Sequence, residues 1–279
     1  AEEMSKTFGQ RFLVENMPGA AGAIGSKAGI ASPADGYTLV LGTASTIAIN
    51  PHTMGDIGYS PLTELDPIGL LAYTPWIMVA SAKEPYDSIA EMLEYGKANP
   101  GDLTYGTWTS TGEMGRKLLQ LRTGVEFLPV PYDGAVAAMN DLVAGRASVA
   151  MLDMSTAVPF IAAGDIKALA VTGPETSELM PGLAAISEAG VTDFDVNSWV
   201  SLFAPAGTPE DIIAKLNEAT VAALAQPEIK AQLAKLGAAV VDWNPQEVGE
   251  FVSTQSEIWS GVVEETGSGS EKSPAAIFT

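Results

Sequence analysis

Short apolar runs alternate with amphipathic stretches along most of the chain, and turn residues mark nearly every change of period. After a short helical piece, Arg11 to Glu15 and Tyr37-Thr38-Leu39-Val40-Leu41 read as strands. Between them, Gly25 to Ala31 reads as a short helix closed by the turn Ser32-Pro33-Ala34-Asp35-Gly36. Trp76 to Ala80 has the profile of a buried strand, and Ser88 to Lys97 that of a helix capped by Ser88 with Glu91 three residues on. Asn99-Pro100-Gly101 forces a turn. Leu103-Thr104-Tyr105 then predicts a strand that leads through the Gly106 to Gly112 loop into a helix reaching about Leu121. A strand over Glu126 to Pro131 and a helix over Ala135 to Ala144 follow. Next come a strand over Ser148 to Leu152, a helix over Ala157 to Ala163, and Ile166 to Val171, a continuous run typical of a strand buried on both faces. The final third opens with a strand over Trp199 to Ala204 and holds two helix starts, Thr208-Pro209-Glu210-Asp211 and Asn244-Pro245-Gln246-Glu247. Each combines a cap residue, Pro at the first helical position and a carboxylate at the third.

This repeated strand-helix rhythm predicts an α/β fold with a largely parallel sheet. At 279 residues the chain has room for two lobes of ordinary domain size, or for one large domain. A content of 47% hydrophobic and 17% charged residues, with 28 Gly and 18 Pro, fits a folded, turn-rich protein. No apolar run reaches the roughly 18 residues that a membrane helix needs, which predicts a soluble protein. Ala1-Glu2-Glu3-Met4 shows neither the basic start nor the apolar stretch of a signal peptide, as a mature chain would. Fourteen basic against 34 acidic residues give a net charge of −20, which repels nucleic acid and anionic lipid, so no nucleic-acid partner is expected. The absence of cysteine removes disulfides, thiol nucleophiles and sulfur-ligated metals, and suits an oxidising compartment without proving residence there.

The motifs point away from chemistry. Gly19-Ala20-Ala21-Gly22-Ala23-Ile24-Gly25 is Gly-rich before a helix, yet it matches neither G-x-G-x-x-G nor a Walker sequence, so a structural turn is expected rather than a nucleotide cofactor. His52 is the only histidine and is expected in a partly exposed loop; without cysteine, a metal site would need scattered carboxylates. No nucleophile elbow is present, and no spacing singles out a pair of carboxylates for acid/base work. Catalytic residues, cofactors and metals are therefore all expected to be absent. Two hydroxyl-rich loops are more informative: Thr43, Ala44, Ser45 and Thr46 after one strand, and Thr107, Trp108, Thr109, Ser110 and Thr111 after another. Each stands where a strand ends and a helix begins, the place where open α/β sheets bind ligands. Free N–H groups and short hydroxyls at a helix start hold a carboxylate without a full positive charge. For either loop alone, the plain alternative is that the hydroxyls simply cap the helix.

At Val14-Glu15-Asn16-Met17-Pro18-Gly19-Ala20-Ala21-Gly22 and Pro33-Ala34-Asp35-Gly36-Tyr37-Thr38-Leu39 the chain resembles the Bug-type periplasmic receptors of tripartite tricarboxylate transporters. The likeness recurs in order at Ala98-Asn99-Pro100-Gly101, Val130-Pro131-Tyr132-Asp133-Gly134, Ala168 to Thr172, Glu188-Ala189-Gly190 and Phe203 to Pro209, and covers roughly residues 5 to 266. The resemblance implies a two-lobed fold like that of periplasmic binding proteins (type II-like), mainly parallel sheets joined by hinge strands, and a periplasmic location. It implies residues 1–79 and 199–279 in lobe one and 80–198 in lobe two. It also implies a monomer that closes on a small organic acid and delivers it to a membrane permease, without reaction; the alternative is a small-molecule enzyme acting in the same cleft. By the same likeness the ligand contacts extend to Asp133, Gly134 and Asp153.

Three departures qualify that expectation. The family begins with a strand and a Pro- and Gly-rich loop, whereas this chain starts within the helix that would follow. Glu113 and Asp133 stand where the family often has His and Lys; facing the ligand they would disfavour a polyanion, and otherwise they point to solvent. Finally, Gly267-Ser268-Gly269-Ser270 looks like a flexible linker, so that Ala275 to Thr279 could supply the first strand of a circularly permuted chain; the plain alternative is a tag or natural tail on a truncated receptor.

Overall fold

The computed structural model describes residues 1–173, 176–177 and 180–269. In chain order the elements are α1 (Glu2–Phe8), a 3-10 turn (Ala20–Gly22), α2 (Ala23–Ile30), β1 (Val40–Thr43), a π-helical turn (Ala44–Ile49), α3 (Asn50–Thr53), α4 (Pro61–Glu64) and β2 (Leu65–Ser81). There follow α5 (Ile89–Ala98), β3 (Thr104–Thr107), α6 (Ser110–Thr123), β4 (Leu128–Pro131), α7 (Ala135–Ala144), β5 (Val149–Asp153), α8 (Met154–Ala163) and β6 (Ile166–Val171). A 3-10 turn (Ile186–Ala189), β7 (Asn197–Pro205), α9 (Glu210–Leu224), α10 (Pro227–Lys235) and α11 (Pro245–Thr266) complete them.

The chain divides into two compact units. The first comprises Ala1–Ala72, Trp199–Ala231 and Val240–Thr279; the second comprises Tyr73–Ser198 and Gln232–Ala239. In the first unit the strand order is β1-β7-β2, with Val40 opposite Phe203 and Thr43 opposite Val200 in an antiparallel pair. Its core joins Met4, Ile68, Ala204, Ile213, Leu216 and Ala219, so one face of α9 is buried against the strands. Helix α11 starts on a reciprocal cap, Asn244 Oδ1 accepting from the Glu247 amide at 3.0 Å and Glu247 Oε2 from the Asn244 amide at 2.8 Å, with Pro245 at the first helical position. That start is the one its sequence predicts. At α9 the expectation needs correction: the Thr208 hydroxyl donates to the Pro205 carbonyl at 2.7 Å, and the helix begins one residue later, at Glu210, with extended Pro209 before it.

In the second unit β3 lies between β4 and β5 and pairs parallel with both. The distal part of β2 pairs antiparallel with β5, Trp76 opposite Asp153, and with β6, Ile77 opposite Val171. The expectation of mainly parallel sheets therefore holds around β3 and is corrected at β2, β6 and β1. The apolar run Ile166–Val171 reflects burial, which does not fix strand direction. Ile77, Val79, Leu142, Leu152, Met154 and Ile166 form the centre of this unit's core, each at most 3% exposed. Full burial of such a side chain contributes about 1.5–3 kcal/mol. Helix α7 is Ala-rich, buries Ala138, Met139 and Leu142, and stops at Gly145, whose φ of 71° favours glycine.

One expected strand is absent. Arg11 to Glu15 is extended but pairs with no other strand among the described residues, and Leu13 and Val14 are each 74% exposed. The expected strand over Ala275 to Thr279 lies outside the described residues.

Candidate functional site

The parallel arrangement of β4, β3 and β5 brings three strand ends, Pro131, Thr107 and Asp153, to one edge of the second unit's sheet. Each leads into a helix start: α7, α6 and α8 respectively. Helix N-termini present unsatisfied N–H groups and the positive end of the helix dipole, so this edge is suited to anions.

The expected contact residues divide by what already occupies them. Thr109 caps α6, its hydroxyl accepting from the Gly112 amide at 3.0 Å. Thr107 is buried; its hydroxyl donates to the Thr109 carbonyl at 3.4 Å, and its own carbonyl accepts from the Tyr132 amide at 2.8 Å. Ser110 and Thr111 form the first turn of α6, Thr111 buried and Ser110 partly so. Trp108 is half-buried and packs against the second unit's core. Asp153 caps α8: Oδ1 accepts from the Thr156 amide at 2.9 Å and the Ser155 hydroxyl at 2.5 Å, and Oδ2 from the Thr156 hydroxyl at 3.0 Å. Asp133 is exposed beside Gly134, which precedes α7 with extended backbone and offers no side-chain cap. Among the described residues, the first turn of α7 is thus the one helix start of the three without a side-chain cap.

Sequence reasoning missed two features here. Glu113, one of the two departures from the family pattern, is tied up in a bidentate pair with Arg116: Nη2 to Oε1 at 2.5 Å and Nε to Oε2 at 3.1 Å. Arg116 also donates to the Phe127 carbonyl at 3.2 Å. The Glu-x-x-Arg spacing signals this pair on a helix. The second feature is Trp76, whose ring reaches 3.7 Å from where a side chain on Gly112 would begin. Thr172 holds its backbone, accepting from the Trp76 amide at 2.9 Å while its own hydroxyl donates to the Val196 carbonyl at 2.6 Å. The Trp76 indole N–H is buried and has no partner among the described residues. No local pattern announces it, because its neighbours come from 36 and 96 positions away.

Tyr132 closes the β4 end. Its hydroxyl donates to Asp141 Oδ2 at 2.9 Å, and burial, reinforced by that carboxylate, pushes its pKa up to about 12. Arg146, donating to Asp141 Oδ1 at 2.9 Å from Nε, holds the Asp141 carboxyl below its ordinary range, with Tyr132 contributing.

In the first unit, Thr43, Ala44, Ser45 and Thr46 stand at the end of β1 and the start of the π-helical turn. Thr43 and Thr46 cap each other: the Thr46 amide donates to Thr43 Oγ1 at 3.3 Å and the Thr43 amide to Thr46 Oγ1 at 3.0 Å. Gly42 before them is required by close approach, since a Cβ would stand 2.6 Å from both Ile47 Cγ1 and Phe203 Cε2. His52 lies in α3 rather than in a loop, half-buried, with Nε2 2.8 Å from Ser256 Oγ. Burial lowers its pKa, against the opposing pull of Glu264 and Ser256. Among the described residues no group of three or more His, Cys, Asp or Glu is arranged to hold a metal, and no helix is long and apolar enough to cross a membrane.

Residues 1–268 match the family described as the tripartite tricarboxylate transporter family receptor. The chain belongs to that family. BugT of Bordetella pertussis is 32% identical, over 96% of this chain and 83% of its own length. Among solved structures, R. palustris Rpa4515 with adipate is 32% identical with a TM-score of 0.86, covering 96% of this chain and 90% of that one. MatC from Rhodopseudomonas palustris with bound malate is 30% identical with a TM-score of 0.82, covering 94% and 90%. The periplasmic binding protein BugD is 30% identical with a TM-score of 0.81, covering 97% and 92%. The α/β fold is therefore that of periplasmic solute-binding proteins, and the receptor family agrees with the Bug-type resemblance read from the sequence.

Proposed function

We propose that this chain is a periplasmic, monomeric solute receptor that captures a small mono- or dicarboxylate and hands it unchanged to a membrane permease. The observation that carries the reading is the convergence of three helix starts on one edge of the second unit's sheet, with the start of α7 left uncapped. A carboxylate oxygen accepts from such amides and gains about 0.3–1 kcal/mol from each dipole. The malate and adipate held by the two R. palustris relatives support a ligand of this class. We assign ligand contact to the Thr107–Thr111 turn, Asp133, Gly134 and Asp153 of the second unit, and to the Thr43–Thr46 turn of the first. With Glu113 neutralised by Arg116, Asp133 and Asp153 are the acids of this edge that weigh against a tricarboxylate. Isothermal titration with C4 to C6 mono-, di- and tricarboxylates tests the proposal, with mass spectrometry of the recovered compound. A saturable heat for a mono- or dicarboxylate, recovered intact, is the expected result. Silence across the panel, or recovery of an altered compound, refutes the receptor reading.

A further inference from the structure

Four successive residues of the first unit, Gly19, Ala20, Ala21 and Gly22, have positive φ, at 124°, 47°, 50° and 91°. Glycine reaches that region freely, but alanine does not, because its Cβ crowds the following carbonyl oxygen. Two adjacent alanines held there store strain, and such strain persists only where the surroundings over-determine it. Here the surroundings do so through named contacts. Asn50, fully buried, donates from Nδ2 to the Ala21 carbonyl at 3.0 Å, and the Ser26 hydroxyl donates to the Gly22 carbonyl at 3.2 Å. The Gly22 amide closes the turn on the Gly19 carbonyl at 3.0 Å.

This strained turn lies against the Thr43–Thr46 turn assigned above. A Cβ on Gly22 would stand 2.6 Å from Thr46 Cγ2, so bare backbone is what lets the two approach. Thr46 in turn accepts the Thr43 amide on Oγ1 at 3.0 Å and the Tyr59 hydroxyl on its carbonyl at 2.8 Å. The main chain of Asn50 reaches the same turn from its far end: its amide donates to the Ser45 carbonyl, closing the π-helical stretch that begins at Ala44. One residue therefore grips both partners, the strained turn through its side chain and the Thr43–Thr46 turn through its backbone. We infer that Asn50 is a positioning residue for the acid site. It holds Ala20 and Ala21 left-handed, so that Gly22 presses on Thr46 and fixes where the Thr43 and Thr46 hydroxyls stand. The inference rests on the assignment of the Thr43–Thr46 turn to the ligand.

Titration with the C4 to C6 carboxylates named above, together with thermal unfolding without acid, tests this role. The variants are Asn50→Ala, Ala20→Gly/Ala21→Gly, and the three substitutions combined. Asn50→Ala should weaken binding about ten-fold, the scale of one buried hydrogen bond. The glycine pair alone should raise Tm, since glycine stays left-handed without support. Added to Asn50→Ala, the pair should restore most of the lost affinity, which a general loosening of the fold would not allow. Wild-type affinity in Asn50→Ala, a glycine pair that lowers Tm, or a loss that the glycines do not restore overturns the inference and leaves the receptor reading standing. If Asn50→Ala does not fold, Gly22→Ala decides: displacing Thr46 should weaken binding, and unchanged affinity there overturns the inference. A wild type that binds none of the acids overturns the receptor reading and this role together.

Discussion

Replacing Glu113 with Gln tests whether this acid belongs to the ligand or to the fold. The Arg116 side chain is 9% exposed and that of Glu113 31%, and the two are joined by a two-point contact. Gln keeps the size of the side chain but removes its charge and one of its two acceptors, leaving the buried guanidinium with the one amide oxygen of the new side chain, the Phe127 carbonyl and, at 3.4 Å, Gln120 Oε1. Breaking a buried pair costs about 3–5 kcal/mol when the stranded charge stays dry. Partial exposure of Glu113 and the surviving acceptors reduce this to about 2 kcal/mol. For a chain of this size that lowers Tm by about 4–8 °C, measured by circular dichroism on heating. The double variant Glu113→Leu/Arg116→Met should recover to within about 1 kcal/mol, because removing both partners leaves no stranded charge. Affinity for the bound acid, measured by titration at a temperature where both proteins are folded, should be unchanged in Glu113→Gln. Wild-type stability together with tighter acid binding would refute the reasoning and place the carboxylate against the ligand.

Two further outcomes follow from the first unit. His52 is the only histidine, and its folded pKa lies below its ordinary value; the unfolded chain therefore binds the proton first, and stability should fall as pH drops from about 6.5 towards the folded pKa and then level off for this group. Urea unfolding at stepped pH should show that slope, and His52→Gln should remove it; a slope that persists in the variant would assign it to carboxylates instead. Gly42→Ala should cost about 1–3 kcal/mol through overpacking against Ile47 and Phe203, both at most 2% exposed, and should weaken acid binding by displacing the Thr43–Thr46 turn. Unfolding and titration of the same preparation check both effects, and an unperturbed variant would contradict the close approach.

The parts of the fold that sequence revealed are those decided locally. Helix α7 and strand β6 occupy the residues their patterns predict, Ala135–Ala144 and Ile166–Val171, because helix propensity and a bounded apolar run depend on near neighbours. Strand β2 was legible only from Trp76: Pro67, Gly69 and Pro75 interrupt the period over Leu65–Pro75, and pairing overrides them. Strand direction was not legible, since an apolar run records burial on both faces and nothing about the neighbour's polarity. Arg11–Glu15 shows the converse, a strand-like pattern that pairs with no strand among the described residues. At the candidate site the hydroxyl loops stand out by residue type, and the structure shows the capping alternative at Thr43, Thr46 and Thr109, Thr109 doing so at the edge where three helices begin. What escaped were the features built from distant positions, the stitching of Trp76 through Thr172 to Val196, and the uncapped start of α7, which follows from what Gly134 lacks.

That uncapped start has an evolutionary corollary. If the amides of α7 take part of the grip, the contact survives nearly any substitution that leaves the helix and its preceding glycine intact, because every residue but proline carries the same donor. Selection is then free to alter the surrounding side chains, and with them which acid fits, without rebuilding the means of holding one. Sequences that have drifted to about 30% identity could in this way keep a common handle while exchanging cargo.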